Sequence, residues 1–193
     1  MIFVEDGVAS MTTLFQDGEE VEVALAGYES VLGASSMLGT SRSLNRVFMQ
    51  IKGWGYTTSK AVASEEFRKH GEFERLVLRY TQAQFIQTAQ TAACNASHTV
   101  RQRLARWLLL CSDRMESDVL ELSQEFVGEM LGVRRTSVNS EIGKFQEAGL
   151  IGTTRNRIKV LDRPGLEHIA CECYGVVRQH LNSYESSDEG FGA

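Results

Sequence analysis

No stretch of this 193-residue chain stays apolar for anything near the roughly 18 residues a membrane-spanning helix needs. The opening Met1-Ile2-Phe3-Val4-Glu5-Asp6-Gly7 has neither the basic nor the apolar region of a secretion signal, so a cytoplasmic location is expected. Phosphate-cradling glycine loops, paired catalytic carboxylates and nucleophile motifs are all missing, which disfavours an enzyme. There are no internal repeats. Cysteine is sparse, with Cys94, Cys111, Cys171 and Cys173 forming none of the paired Cys-x-x-Cys sets of a zinc site. Cys171 and Cys173 come nearest to a metal or redox motif. On a helix, however, one intervening residue sets two side chains about 200° apart. Small residues packed on a cytoplasmic helix are therefore expected, with no metal and no cofactor. A thiol enzyme or redox switch would also need a general base; none stands at a recognisable spacing, and His168 reads as a surface or packing residue.

Positive charge is also in deficit overall, the net charge being −5. Locally the balance reverses. Gln124 to Arg163 holds seven Lys/Arg against five Asp/Glu, whereas Pro164 to Ala193 holds one Arg against five acids. An acidic tail and N-terminal half can thus mask a mildly basic element suited to nucleic acid.

The first third reads as β-structure, punctuated by glycines. Gln16-Asp17-Gly18-Glu19 is a turn signal between Ser10–Phe15 and Glu20–Leu25, and the second segment alternates polar and apolar as a half-buried strand does. Val47–Ile51 is a further strand candidate. A short helix follows Lys60, with Ser64-Glu65-Glu66-Phe67 resembling a capped start. From Glu72 to about Ala96 neither Gly nor Pro occurs, which predicts one long helix. Leu78, Phe85 and Ala92 recur every seven residues on it, and Gln82, Ala89 and Ala96 follow each by four. A narrow stripe of this kind packs against another helix, from a second subunit or otherwise against the chain's own β-domain. Another helix opens near Ser97, with Val100, Leu104, Trp107, Leu108 and Cys111 as its apolar face. Arg101, Arg103 and Arg106 are expected on its solvated side. The segment from Glu185 to Ala193 has a disordered composition.

The informative element lies between residues 120 and 163. Leu122–Leu131 predicts a compact helix capped near Ser123, Gly132 a tight turn, and Arg135–Glu147 a second helix with Val138, Ile142 and Phe145 on one side. Gly128 is small where the two helices must cross. A helix-turn-helix needs small, turn and apolar residues at these offsets. Ile151 and Ile158–Leu161 then predict a hairpin wing with Arg155, Asn156 and Arg157 at its tip, suited to phosphate oxygens. Asp162-Arg163-Pro164-Gly165 caps a further helix, with Pro164 in its first turn. On the second helix, Arg135, Thr136, Asn139 and Ser140 are expected to reach base edges, an Arg preferring guanine and an Asn adenine. Arg134, Ser137 and Lys144 are expected to hold phosphates.

The run Arg103-Leu104-Ala105-Arg106-Trp107-Leu108-Leu109, then Leu122–Phe126, Leu131–Val138, Glu147–Ile151 and Ile158–Asp162, resembles the Crp/Fnr family of bacterial regulators. The likeness covers about residues 72–174, while Val4–Val8 and Asp17–Val23 look like later strands of that family's β-roll sensor. It implies an α+β chain of four parts: a partial, truncated β-roll sensor over 1–70, a dimerisation helix over 71–96 with Leu78, Phe85, Ala89 and Ala92 in its seam, a winged helix-turn-helix over 97–184, and a tail over 185–193. The chain is expected to begin where several β-roll strands have already passed. The implied partners are double-stranded DNA, bound as a homodimer on a palindromic operator, with RNA polymerase a further candidate. Cyclic-nucleotide-binding members carry a Gly-Glu and an Arg followed by small residues. The corresponding Gly33–Arg42 lacks the Glu and retains only Arg42, and the N-terminal cysteine group of cluster-binding members is absent, so neither cyclic nucleotide nor cluster is expected. The family's best-known member has Glu and a second Arg where this chain has Thr136 and Ser140, so its operator is not carried over. A rival reading is a degenerate interaction module that titrates a full-length relative by mixed dimerisation.

Overall fold

In the computed structural model, residues 1–39, 43, 45–115 and 117–186 are described, the last five of these by their backbone alone. Three strands form one N-terminal sheet in the order β3 (Glu20–Ala26), β2 (Val8–Leu14), β5 (Arg46–Ile51), all antiparallel. Between β2 and β3 the chain turns through Gly18 at φ 89°, a left-handed conformation that glycine adopts without steric cost. A second sheet has the order β4 (Val31–Leu32), β1 (Ile2–Val4), β6 (Gly55–Thr57). The expected hairpin and the strand near Val47–Ile51 are both present. A short helix, α1 (Lys60–Phe67), follows the second sheet; its N-cap is Ser59, whose hydroxyl accepts from the Val62 amide at 3.3 Å. Ser64, expected near the start, lies inside it, because Ser59 offers an acceptor one turn earlier.

The long helix α2 spans Glu72–Ser97. It buries Val77, Tyr80, Ala83, Gln87 and Cys94. Val77 and Tyr80 pack with Val31 and Ala34, joined by Phe67 and Phe73. Gln87 grips strand β3 at its backbone: its Oε1 accepts from the Leu25 amide at 3.1 Å and its Nε2 donates to the Leu25 carbonyl at 2.9 Å. A strand edge that would otherwise hold unpaired groups is satisfied by a side chain of the covering helix.

The C-terminal part comprises α3 (Val100–Met115), α4 (Gln124–Leu131), α5 (Arg135–Glu147), α6 (Arg163–Ile169) and α7 (Cys173–Ser186), with a third sheet ordered β7 (Val119–Leu120), β9 (Arg157–Val160), β8 (Ile151–Thr154). Leu104, Trp107, Leu108 and Cys111 are buried on α3, as their spacing requires. Arg103 and Arg106 correct the expected solvated face: both are buried, at 9% and 5% exposure, and only Arg101 is exposed. Arg103 donates to the Leu131 carbonyl at the end of α4, and Arg106 Nη2 to Thr91 Oγ1 of α2 at 3.0 Å. α3 is packed on two sides, so these long side chains span to neighbouring elements instead of reaching water.

One hydrophobic core unites the parts, since Val8, Leu25 and Ile51 of the first sheet pack in the same cluster as Trp107, Met130, Val138 and Phe145. At this junction the alternation in β3 is corrected too. Glu22, read as a polar residue of a half-buried strand, is 6% exposed. Its carboxylate accepts from Trp107 Nε1 and from Ser10 Oγ, each at 2.7 Å. α7 was not expected as a separate helix; Ala170, Cys171 and Glu172 break the chain before it. It runs to Ser186, two residues into the expected tail, and 187–193 lie outside the described residues, as does Arg42.

Candidate nucleic-acid interface

α4 begins at Ser123, whose hydroxyl accepts from the Phe126 amide at 3.1 Å, and ends at Gly132, which takes φ 60°. The Gly132 amide donates to the Glu129 carbonyl and the Val133 amide to the Gly128 carbonyl, each at 3.0 Å, closing the last turn. Gly128 permits the crossing: a Cβ there would stand 3.3 Å from the Val133 carbonyl oxygen and 3.6 Å from Arg135 Cα. Val138, Ile142 and Phe145 are fully buried and anchor α5 against the domain. Burial of those three fixes the rotation of α5, and so which residues it turns outward.

Turned outward are Arg135, Thr136, Asn139 and Ser140, all exposed. Arg134 is the exposed N-cap residue of α5, Ser137 is half-buried, and Lys144 is exposed and paired with Glu141 at 2.6 Å. Among the described residues no side chain caps the N-terminus of α5, which leaves the Arg135 and Thr136 amides to solvent or a bound anion. The wing is the β8–β9 hairpin. Thr154 pairs with Arg157, and Asn156 at the tip adopts φ 57°, a left-handed conformation that Asn tolerates better than most residues. Arg155, Asn156 and Arg157 are all exposed. β7 adds a third strand to the wing, too short at two residues to carry a legible alternation.

An open cleft of about 250 Å³ separates the starts of α4 and α5 from the wing, lined by Gln124, Glu125, Arg135, Thr154, Arg155 and Arg157 among others. Two carboxylates engage its arginines: Glu125 lies 3.5 Å from Arg135, and Glu121 lies 2.8 Å from Arg157. All four side chains are more than half exposed, so these pairs are weak and can exchange for phosphate or base contacts. Gln124, Thr154 and the two acids were not singled out from sequence, because the cleft joins three separate segments.

The stripe residues expected to form a seam lie on the face of α2 opposite its buried one. Leu78 and Phe85 are 45% and 73% exposed, and Ala89 and Ala92 are exposed. The heptad stripe is therefore not what packs on the chain's own β-domain; Val77, Tyr80, Ala83 and Gln87 do that.

A winged helix-turn-helix behind a long helix and an N-terminal double β-sheet defines a class of DNA-binding regulator. Residues 102–169 match the model of the Crp-like helix-turn-helix domain. The chain is similar to global nitrogen regulators of Nostoc sp. (24% identity, covering 82% of this chain and 75% of the relative) and of Synechococcus elongatus (27%, covering 81% and 74%). Among solved structures it resembles a Crp/Fnr-family regulator from Eubacterium rectale (TM-score 0.68, 16% identity, covering 87% of this chain and 79% of the other). It also resembles a CRP-family regulator from Thermus thermophilus (TM-score 0.66, 21% identity, covering 88% and 86%). Residues 102–169 thus form a Crp-like helix-turn-helix domain, and the chain as a whole shares the fold of these Crp/Fnr-family regulators. Among the described residues no helix is long and apolar enough to cross a membrane.

Proposed function

We propose that the chain acts as a homodimer on a palindromic DNA site and does so without a cyclic nucleotide. The observation that carries this reading is the exposed row Arg135, Thr136, Asn139 and Ser140 on a helix whose rotation is fixed by Val138, Ile142 and Phe145, beside a wing tipped with Arg155, Asn156 and Arg157. In this reading the row reads base edges, and Arg134, Ser137, Lys144 and the wing hold phosphates. The exposed α2 stripe of Leu78, Phe85, Ala89 and Ala92 supports a second copy as partner. The absence of Glu from Gly33 to Arg42 supports independence from cyclic nucleotides.

Selection from random double-stranded DNA pools at two salt concentrations tests it. The expected result is a palindrome with half-sites about one helical turn apart. Arg135→Ala should relax one position, costing about 1–3 kcal/mol there. Arg157→Ala should weaken all sequences alike and lower the salt dependence. Failure to enrich any motif, together with mixed dimers formed with a longer relative, would favour the titrating module instead.

A further inference from the structure

Three cysteines and a histidine from distant parts of the sequence meet at the far end of the long helix. Cys94 lies in the last turn of α2, His98 is that helix's C-cap residue, Cys171 lies in the α6–α7 link, and Cys173 opens α7. The expectation that Cys171 and Cys173 point about 200° apart assumed a shared helix. It is corrected here, because Cys171 precedes α7 in non-helical backbone and both sulfurs turn to the same point. The four ligand atoms lie within 4.8 Å of one another. Cys94 Sγ is 3.5 Å from Cys171 Sγ, and Cys173 Sγ is 3.5 Å from His98 Nδ1. A tetrahedral zinc site with Zn–S bonds of about 2.3 Å has sulfur–sulfur edges of about 3.8 Å. We infer that Cys94, His98, Cys171 and Cys173 form a Cys3His site for one tetrahedral, thiophilic divalent ion, zinc above all.

The surroundings of the four residues fit such an ion better than they fit packed thiols. His98 turns Nδ1 towards the sulfurs while its Nε2 lies 3.3 Å from the Glu172 carboxylate. A carboxylate on the Nε2 side favours the tautomer protonated there, which leaves the Nδ1 lone pair for a metal. Gln90 Nε2 donates to Cys173 Sγ at 3.0 Å, a contact that favours a thiolate. Three thiolates around a divalent cation leave one net negative charge. The buried guanidiniums of Arg103 and Arg106 both act electrostatically on this cluster, and the Nε atom of each is buried without a hydrogen-bond partner among the described residues. Buried cations are costly unless negative charge lies near them; Glu22 acts on Arg106, and a metal–thiolate centre would act on both arginines. The cysteines are buried and all four tetrahedral positions come from protein, so the site is structural. It staples the end of α2 to α7, joining the long helix to the DNA-binding part independently of what DNA sequence is read.

The test uses the whole 193-residue chain, reduced and freed of metal, then incubated with Zn²⁺ alone and dialysed. Elemental analysis should find about one zinc per chain. Co²⁺ in its place should give the intense visible bands of tetrahedral thiolate coordination, and Zn²⁺ should raise Tm by several degrees. Cys173→Ser and His98→Gln should lose the bands, while Cys111→Ser, which alters a buried thiol outside the cluster, should keep them. The wild-type measurement decides the matter even where a variant fails to fold. A folded, reduced wild-type chain that takes up neither ion overturns the inference. So does uptake that Cys111→Ser abolishes and Cys173→Ser leaves intact.

Discussion

Glu22 shows how one residue can carry a pH dependence. Burial raises its carboxyl from the ordinary 4.5 to about 7, although hydrogen bonds from Ser10 and Trp107 and the charges of Arg114 and Arg106 oppose the shift. Between those two values the folded chain holds a proton that the unfolded chain has released. Stability contributed by Glu22 is thus fully present below about pH 4.5 and declines as pH rises through about 7. A shift of this size corresponds to about 3 kcal/mol. Glu22→Gln should flatten the decline between pH 5 and 8, leaving the variant more stable than the parent at pH 8. Urea denaturation at several pH values checks this; parallel curves for the two proteins would refute it. Nothing in the sequence marks Glu22, since an alternating strand normally turns its acids to water. Trp107 and Met130, brought to β3 by the tertiary fold, close over it.

At the scale of elements, α2 has two working faces, and the heptad spacing revealed only one. The buried face of Val77, Tyr80, Ala83 and Gln87 is set by the sheets it covers. The exposed face of Leu78, Phe85, Ala89 and Ala92 is the proposed seam. Phe85, at 73% exposure, is a large apolar group with little to cover it within the chain. Phe85→Glu should shift the protein to a monomer and abolish high-affinity binding to a palindrome while leaving the fold intact. Analytical ultracentrifugation and circular dichroism separate the two effects, and an unchanged dimer would remove α2 as the seam. The helix-turn-helix, by contrast, was legible almost to the residue. Its cap at Ser123, its turn at Gly132 and its three buried anchors are local requirements written at fixed spacings. Its exposed partners Glu121 and Glu125 were not legible, because each pairs across a gap between elements.

At the scale of the whole molecule, the first N-terminal sheet and the C-terminal domain share one core, and a buried ion pair fastens the N-terminal part to it. Arg114 Nε lies 2.9 Å from Glu29 Oε1, with side chains 2% and 4% exposed. Arg114 also donates to the Leu110 carbonyl at 3.0 Å. Gly27 must lack a side chain for this contact, since a Cβ would stand 2.7 Å from Arg114 Cγ. Removing one partner leaves a buried charge uncompensated, so Glu29→Ala should destabilise by about 3–5 kcal/mol. Replacing the pair together, as Glu29→Leu with Arg114→Met, should recover most of that loss in a denaturant titration. Additive losses would show that the two charges do not depend on each other.

The sequence by itself determined what depends on neighbours along the chain. The β2–β3 turn at Gly18, the unbroken helix from Glu72, the cap, turn and anchors of the helix-turn-helix, and the basic wing all arise from propensity and spacing within about 15 residues. Only the tertiary structure decided what depends on residues far apart. It buried Arg103, Arg106 and Glu22, split α7 from α6, and gathered Cys94, His98, Cys171 and Cys173 into one cluster. The physical reason is that a helix or strand reports its own periodicity, whereas the element that will cover each face is chosen by packing among segments up to 100 residues or so apart, a choice with no local signature.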